Sequence, residues 1–73
     1  MNDDDLSAEA EARLRGQLAE LRQEHKDLDD SIRALETLPR PDMIQIARLK
    51  KKKLILRDQI ENLEDQITPD IIA

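Results

Sequence analysis

Apolar residues recur along the first half of the chain at Leu14, Leu18, Leu21, Leu28, Ile32 and Leu35. The steps alternate four and three, and the one missing slot is filled by His25. Such spacing keeps one side of an α-helix apolar and is the a/d pattern of a heptad repeat. Ser7 stands where a helix N-cap belongs, and Glu9 and Glu11 follow in the first turn, where carboxylates favour the helix dipole. The pattern stops at Leu38-Pro39-Arg40-Pro41-Asp42, because each proline disfavours helix at the residue before it. It resumes at Ile46, Leu49, Lys53, Leu56, Ile60, Leu63 and Ile67, with Asp42 as cap and Gln45 three residues on, as in a capping box. Thr68-Pro69 ends it. The organisation predicted is an acidic tail over 1–6 and a hairpin over 7–67. Helix 1 runs from about 7 to 38, the turn spans 39–41, helix 2 runs from about 42 to 67, and 68–73 is a C-terminal tail.

The two halves share one register. If the chain reverses at residues 39–41, opposing seam residues have numbers that add to 81. Leu35 then meets Ile46, Ile32 meets Leu49, Leu28 meets Lys53, and His25 meets Leu56. Leu21 meets Ile60, Leu18 meets Leu63, and Leu14 meets Ile67. Each pair sets an a position against a d position, as antiparallel packing requires. The fold class expected is all-α: an antiparallel two-helix coiled-coil hairpin. The same contacts would survive if the helices were swapped between two chains. At the e positions the same alignment sets Asp29 beside Lys50 and Arg15 beside Glu64, which should attract, and Arg22 beside Arg57, which should repel, each by only a few tenths of a kcal/mol.

Composition agrees with this picture and narrows the function. Charged residues are 40% of the chain, glycine occurs once, and aromatics are absent, a profile of long helices with a thin aliphatic seam. With no cysteine there is no disulfide framework and no thiolate metal site. The longest apolar run is Leu54-Ile55-Leu56, far short of a membrane span. The N-terminal Met1-Asn2-Asp3-Asp4-Asp5 lacks the basic and apolar regions of a secretory signal, so a cytoplasmic location is expected.

Net charge is −5, unevenly spread. Arg48, Lys50, Lys51, Lys52, Lys53 and Arg57 place six positive charges in ten residues with no acid among them. Clustered cations can grip the phosphates of a nucleic acid. Arg48, Lys50, Lys51, Lys52 and Arg57 are the candidate contacts for such a role. Against it, no aromatic residue is available to stack a base, and the lysines are spread around the helix. A solvated face, or pairing with the acidic first helix, is the stronger reading.

The string His25-x-x-Leu28-Asp29-x-x-Ile32-x-x-Leu35-Glu36 resembles the first half of the small bacterial YdcH-like proteins. The string Asp42-x-x-x-Ile46-x-x-Leu49-Lys50-Lys51-x-Lys53-Leu54-x-Leu56-Arg57-Asp58-x-Ile60 resembles their second half. The likeness covers roughly residues 14–67. It implies a self-associating helical hairpin of unknown function, and it carries over no catalytic residue.

His25 and Lys53 occupy adjacent seam slots and form a candidate polar core layer. His25 is open to two readings. One is a pH switch, with the neighbouring Lys53 disfavouring the imidazolium. The other is a polar seam residue that fixes register, and this weighs more. His25 and Asp29 share a helix face, but two ligands are too few for a zinc site. For Lys53, the stem is expected to cover the seam while the ammonium turns towards Asp29 or Glu24. A catalytic lysine would need an enclosed pocket, which a two-helix seam does not offer.

Helix 2 carries apolar residues off the seam at Ile44, Ala47, Leu54 and Ile55. The partner helix cannot cover them, and exposed apolar groups of this kind mark interfaces. A chain of this length is also marginal as a lone monomer. The expectation is therefore a homo-oligomer, a dimer or larger, giving a bundle of four or more helices, or docking of another helical protein. No enzyme, cofactor or membrane function is expected. The alternative is an accessory nucleic-acid- or ribosome-associated protein that uses the basic run.

Overall fold

The computed structural model describes residues 7–67. They form two helices, α1 (Ala8–Glu36) and α2 (Met43–Ile67), which pack against each other within one chain as a helical hairpin. At 1.5 Å per residue the helices are about 44 Å and 38 Å long, so the hairpin is a thin rod.

The ends are set by local chemistry. The Ser7 hydroxyl accepts the N–H of Ala10 at 3.0 Å, and Glu9 and Glu11 lie in the first turn. Helix α1 stops at Glu36, two residues before the expected end. Thr37 caps it, with its hydroxyl donating to the Ala34 carbonyl at 2.8 Å. The N–H groups of Thr37 and Leu38 reach back three residues, tightening the last turn. Leu38 then leaves helical geometry ahead of Pro39. Asp42 caps α2 with one carboxylate oxygen, which accepts from the N–H groups of Ile44 and Gln45, both at 3.1 Å. The reciprocal bond of a capping box, from the Gln45 side chain, is not formed among the described residues.

All fourteen seam positions read from the sequence are buried or half-buried. Leu18, Ile32, Ile46 and Leu56 are the buried ones, and Ile46 keeps only 1% of its surface. Few other described residues are covered: Ala10, Glu11, Asp29, Pro41 and Glu64 are half-buried. Most seam side chains thus remain partly wet, as expected where each has only one partner helix.

Cross-helix ion pairs report the register directly. Arg22 pairs with Glu64, and Lys50 pairs with Glu36 at 3.0 Å. Both pairs have residue numbers adding to 86, and along α1 they stand two heptads apart. The helices therefore run antiparallel without slippage between these points.

These partners correct the flanking pairs expected from the sequence. Lys50 is held by Glu36 rather than Asp29. Arg22 is held by Glu64 and Arg57 by Glu61, so the expected Arg22–Arg57 repulsion is relieved by carboxylates. The cause is geometric. Side chains on a helix lean towards its N-terminus. In an antiparallel pair, long side chains therefore converge when their numbers add to more than the seam total and diverge when they add to less. Asp29 with Lys50 lies on the diverging side, and Glu36 with Lys50 on the converging side.

Candidate interaction surface

Five large apolar side chains stand exposed in the described chain: Leu38 in the turn, and Met43, Ile44, Leu54 and Ile55 on α2. None lies on α1. Ile44 keeps 69% of its surface, Leu54 56% and Ile55 50%. Ala47 is exposed as well. All four residues singled out from the sequence are therefore open to solvent. Their place in the heptad explains this: Ile44 is an f position, Ala47 and Leu54 are b, and Ile55 is c, all turned away from α1. Leu38 and Met43 extend the apolar surface around the turn. Neither was singled out from the sequence: Leu38 was expected to close helix 1, which instead ends at Glu36, and Met43 is an e position beside the seam at the first residue of α2.

The basic run divides into two groups. Lys50, Lys53 and Arg57 are engaged by Glu36, Asp29 and Glu61, the last at 3.4 Å. Arg48, Lys51 and Lys52 have no carboxylate partner among the described residues. They lie within one turn of each other and are exposed. Asp58 and Asp65, further along α2, likewise have no ion-pair partner among the described residues.

Among the described residues no hydrogen bond or ion pair joins His25 to Lys53; the partner of Lys53 is Asp29. The Lys53 ammonium donates to Asp29 at 2.7 Å, one of the two directions expected for it, and both groups are half-buried. Asp29 also receives Arg33 at 3.0 Å. The Lys53 hydrogen bond holds the Asp29 carboxyl below the usual carboxylate range; desolvation opposes this, and Arg33 and His25 reinforce it. His25 is half-buried one turn from Asp29. The i, i+4 spacing of His25, Asp29 and Arg33 was the available signal for this cluster.

At the open end of the hairpin, Arg15, Leu18, Arg22, Glu64 and Ile67 line a groove of about 320 Å³. Arg15 is paired with Glu11 and Arg22 with Glu64, so its cations are already balanced by carboxylates. Among the described residues no three His, Cys, Asp or Glu side chains gather at a metal-sized site, and no helix is long and apolar enough to cross a membrane.

A family model described as a protein of unknown function (DUF465) matches residues 18–64. The chain belongs to the DUF465 family. This is the family of YdcH-like small helical proteins, in agreement with the resemblance carried by the His25–Glu36 and Asp42–Ile60 strings. The DUF465 match spans most of both helices and the whole turn, so the hairpin is the unit that defines it. No curated protein and no solved structure matches the chain.

Proposed function

We propose that this DUF465 protein is a non-catalytic interaction module that works by self-association through the outer face of α2. The observation that carries the reading is the concentration of exposed apolar side chains on one helix. Ile44, Leu54 and Ile55 each keep half or more of their surface while seam residues of the same kind are covered. Exposed aliphatic surface costs on the order of 25 cal/mol per Å² relative to burial. A hairpin with four buried side chains has little stability to set against that cost. A second copy supplies both cover and charge balance, because α2 is basic over 48–57 and acidic over 58–65. The seam itself is read as a coiled-coil seam on the strength of its unbroken four-three spacing.

The test is sedimentation equilibrium of the purified chain between micromolar and hundreds of micromolar, beside Leu54→Glu. A mass of at least two chains is expected for the parent, and a shift towards one chain for the variant. A single-chain mass for the parent across the range would refute the reading. The phosphate-binding alternative rests on the exposed cluster Arg48, Lys51 and Lys52. A random-sequence RNA oligonucleotide tests it: binding at low salt that collapses at physiological salt would favour it, since counterion release makes phosphate contacts steeply salt-dependent.

A further inference from the structure

Lys51, Leu54, Ile55 and Asp58 stand at i, i+3, i+4 and i+7 of α2 and so share one helix face. The face is turned away from α1, and all four residues are exposed. Its centre is the pair of aliphatic side chains Leu54 and Ile55, which keep 56% and 50% of their surface. Its two ends are a cation and an anion, neither with an ion-pair partner among the described residues. The charges are equally far from the centre, Lys51 before it and Asp58 after it. Such a patch is its own complement under a two-fold rotation.

We infer that the face formed by Lys51, Leu54, Ile55 and Asp58 is an isologous, antiparallel contact with a second copy of this chain. The inference rests on the self-association reading above and specifies its geometry. A two-fold axis beside Leu54 and Ile55 stacks these residues on the partner's Leu54 and the partner's Ile55. Lys51 then faces the partner's Asp58, and Asp58 faces the partner's Lys51. One turn further out, Arg48 faces the partner's Glu61.

Charge decides against the other arrangements of the same helix. A parallel pairing sets Lys51 on the partner's Lys51 and Asp58 on the partner's Asp58. An antiparallel pairing shifted to place Ile44 on the partner's Ile55 would bring Ile44, which keeps 69% of its surface, into the contact. It also brings Arg48 against the partner's Lys51, stacking one basic run on the other, and like charges set face to face are costly. The favoured register therefore leaves Ile44 towards the edge of the contact. Because the patch lies opposite the seam, the dimer is a row of four helices in the order α1, α2, α2, α1, rather than a bundle sharing one core.

The arrangement makes a prediction that a simple loss of folding cannot imitate. Lys51→Glu gives the patch two anionic ends, and Asp58→Lys gives it two cationic ends. Each variant should repel its own copy and attract the other. The experiment is sedimentation velocity on the full chain at tens of micromolar: parent, each single variant, their equimolar mixture, and the double variant. Helicity by circular dichroism at each condition confirms that the monomer is intact. The parent is expected to be a dimer. Each single variant should dissociate with a Kd raised at least about tenfold, as expected for two ion pairs turned into two repulsions. The mixture and the double variant should both regain the dimer. If the parent dimerises but the single variants do so equally well, or the mixture fails to recover, this geometry is wrong while self-association stands. If the parent is a monomer at all concentrations, both fall together.

Discussion

Ile44 and Ile46 are two residues apart in the first turns of α2 and differ chiefly in burial. Ile46 keeps 1% of its surface, whereas Ile44 keeps 69%. Replacing either by alanine deletes the same three carbons and changes intrinsic helix propensity by the same few tenths of a kcal/mol. For Ile46, the lost transfer energy is about 2.4 kcal/mol at ~0.8 per buried methylene, and a cavity adds to it, giving about 2.5–5 kcal/mol. For Ile44, with most of its surface in water throughout, the corresponding loss is roughly 0.7 kcal/mol. The expected difference of about 2 kcal/mol or more corresponds to a gap of at least ~8 °C in Tm for a domain of this size. The assay is thermal and urea unfolding followed by helical circular dichroism, at the lowest protein concentration that gives a clear signal, so that self-association contributes least. Ile46→Ala should lose most of its cooperative transition while Ile44→Ala stays close to the parent. Equal shifts for the two variants, or a larger one for Ile44→Ala, would refute the seam assignment and the register built on it.

Other consequences can be checked separately. Asp42→Ala removes the acceptor for two N–H groups and should cost about 1 kcal/mol, with faster amide exchange at Ile44 and Gln45 as its local sign. Gly16→Ala should stabilise α1 by about 0.5–1 kcal/mol, because a Cβ there meets nothing within 4 Å and glycine is a poor helix former; an unchanged or lower Tm would count against it. Asp29 has a folded-state pKa below its ordinary value, so its ionised form binds the fold better than its neutral form. Its contribution is therefore present above the usual carboxylate range and is lost as pH falls through that range towards the folded value. The stability gap between the parent and Asp29→Asn should accordingly be widest near neutral pH and close on acidification; a gap independent of pH would show that the Lys53 and Arg33 contacts do not act through charge.

Much of this hairpin could be read from spacing alone. Leu14 to Leu35 and Ile46 to Ile67 mark the seam because helical periodicity is a local property of the chain, and two prolines mark the reversal for the same reason. The exposure of Ile44, Ala47, Leu54 and Ile55 was also accessible, since a heptad assigns every residue to a side of its helix. Other features depended on how the second helix lies against the first. The expectation that Asp29 would meet Lys50 took account of position but not of the lean of side chains, which brings Glu36 to Lys50 and Glu64 to Arg22 instead. Lys53 reaching Asp29 across the seam was one of the two directions expected for it, and Arg33 joins Asp29 within α1 at i, i+4 spacing. Across the seam Lys50 and Lys53 are taken up by Glu36 and Asp29, Arg57 is held by Glu61 on its own helix, and Arg48, Lys51 and Lys52 have no carboxylate partner among the described residues. Sequence by itself determined the helices, their faces and the place of the turn, because these are fixed within a few residues. Only the tertiary structure decided which charges meet across the seam, because that depends on the direction in which side chains from two opposed helices extend.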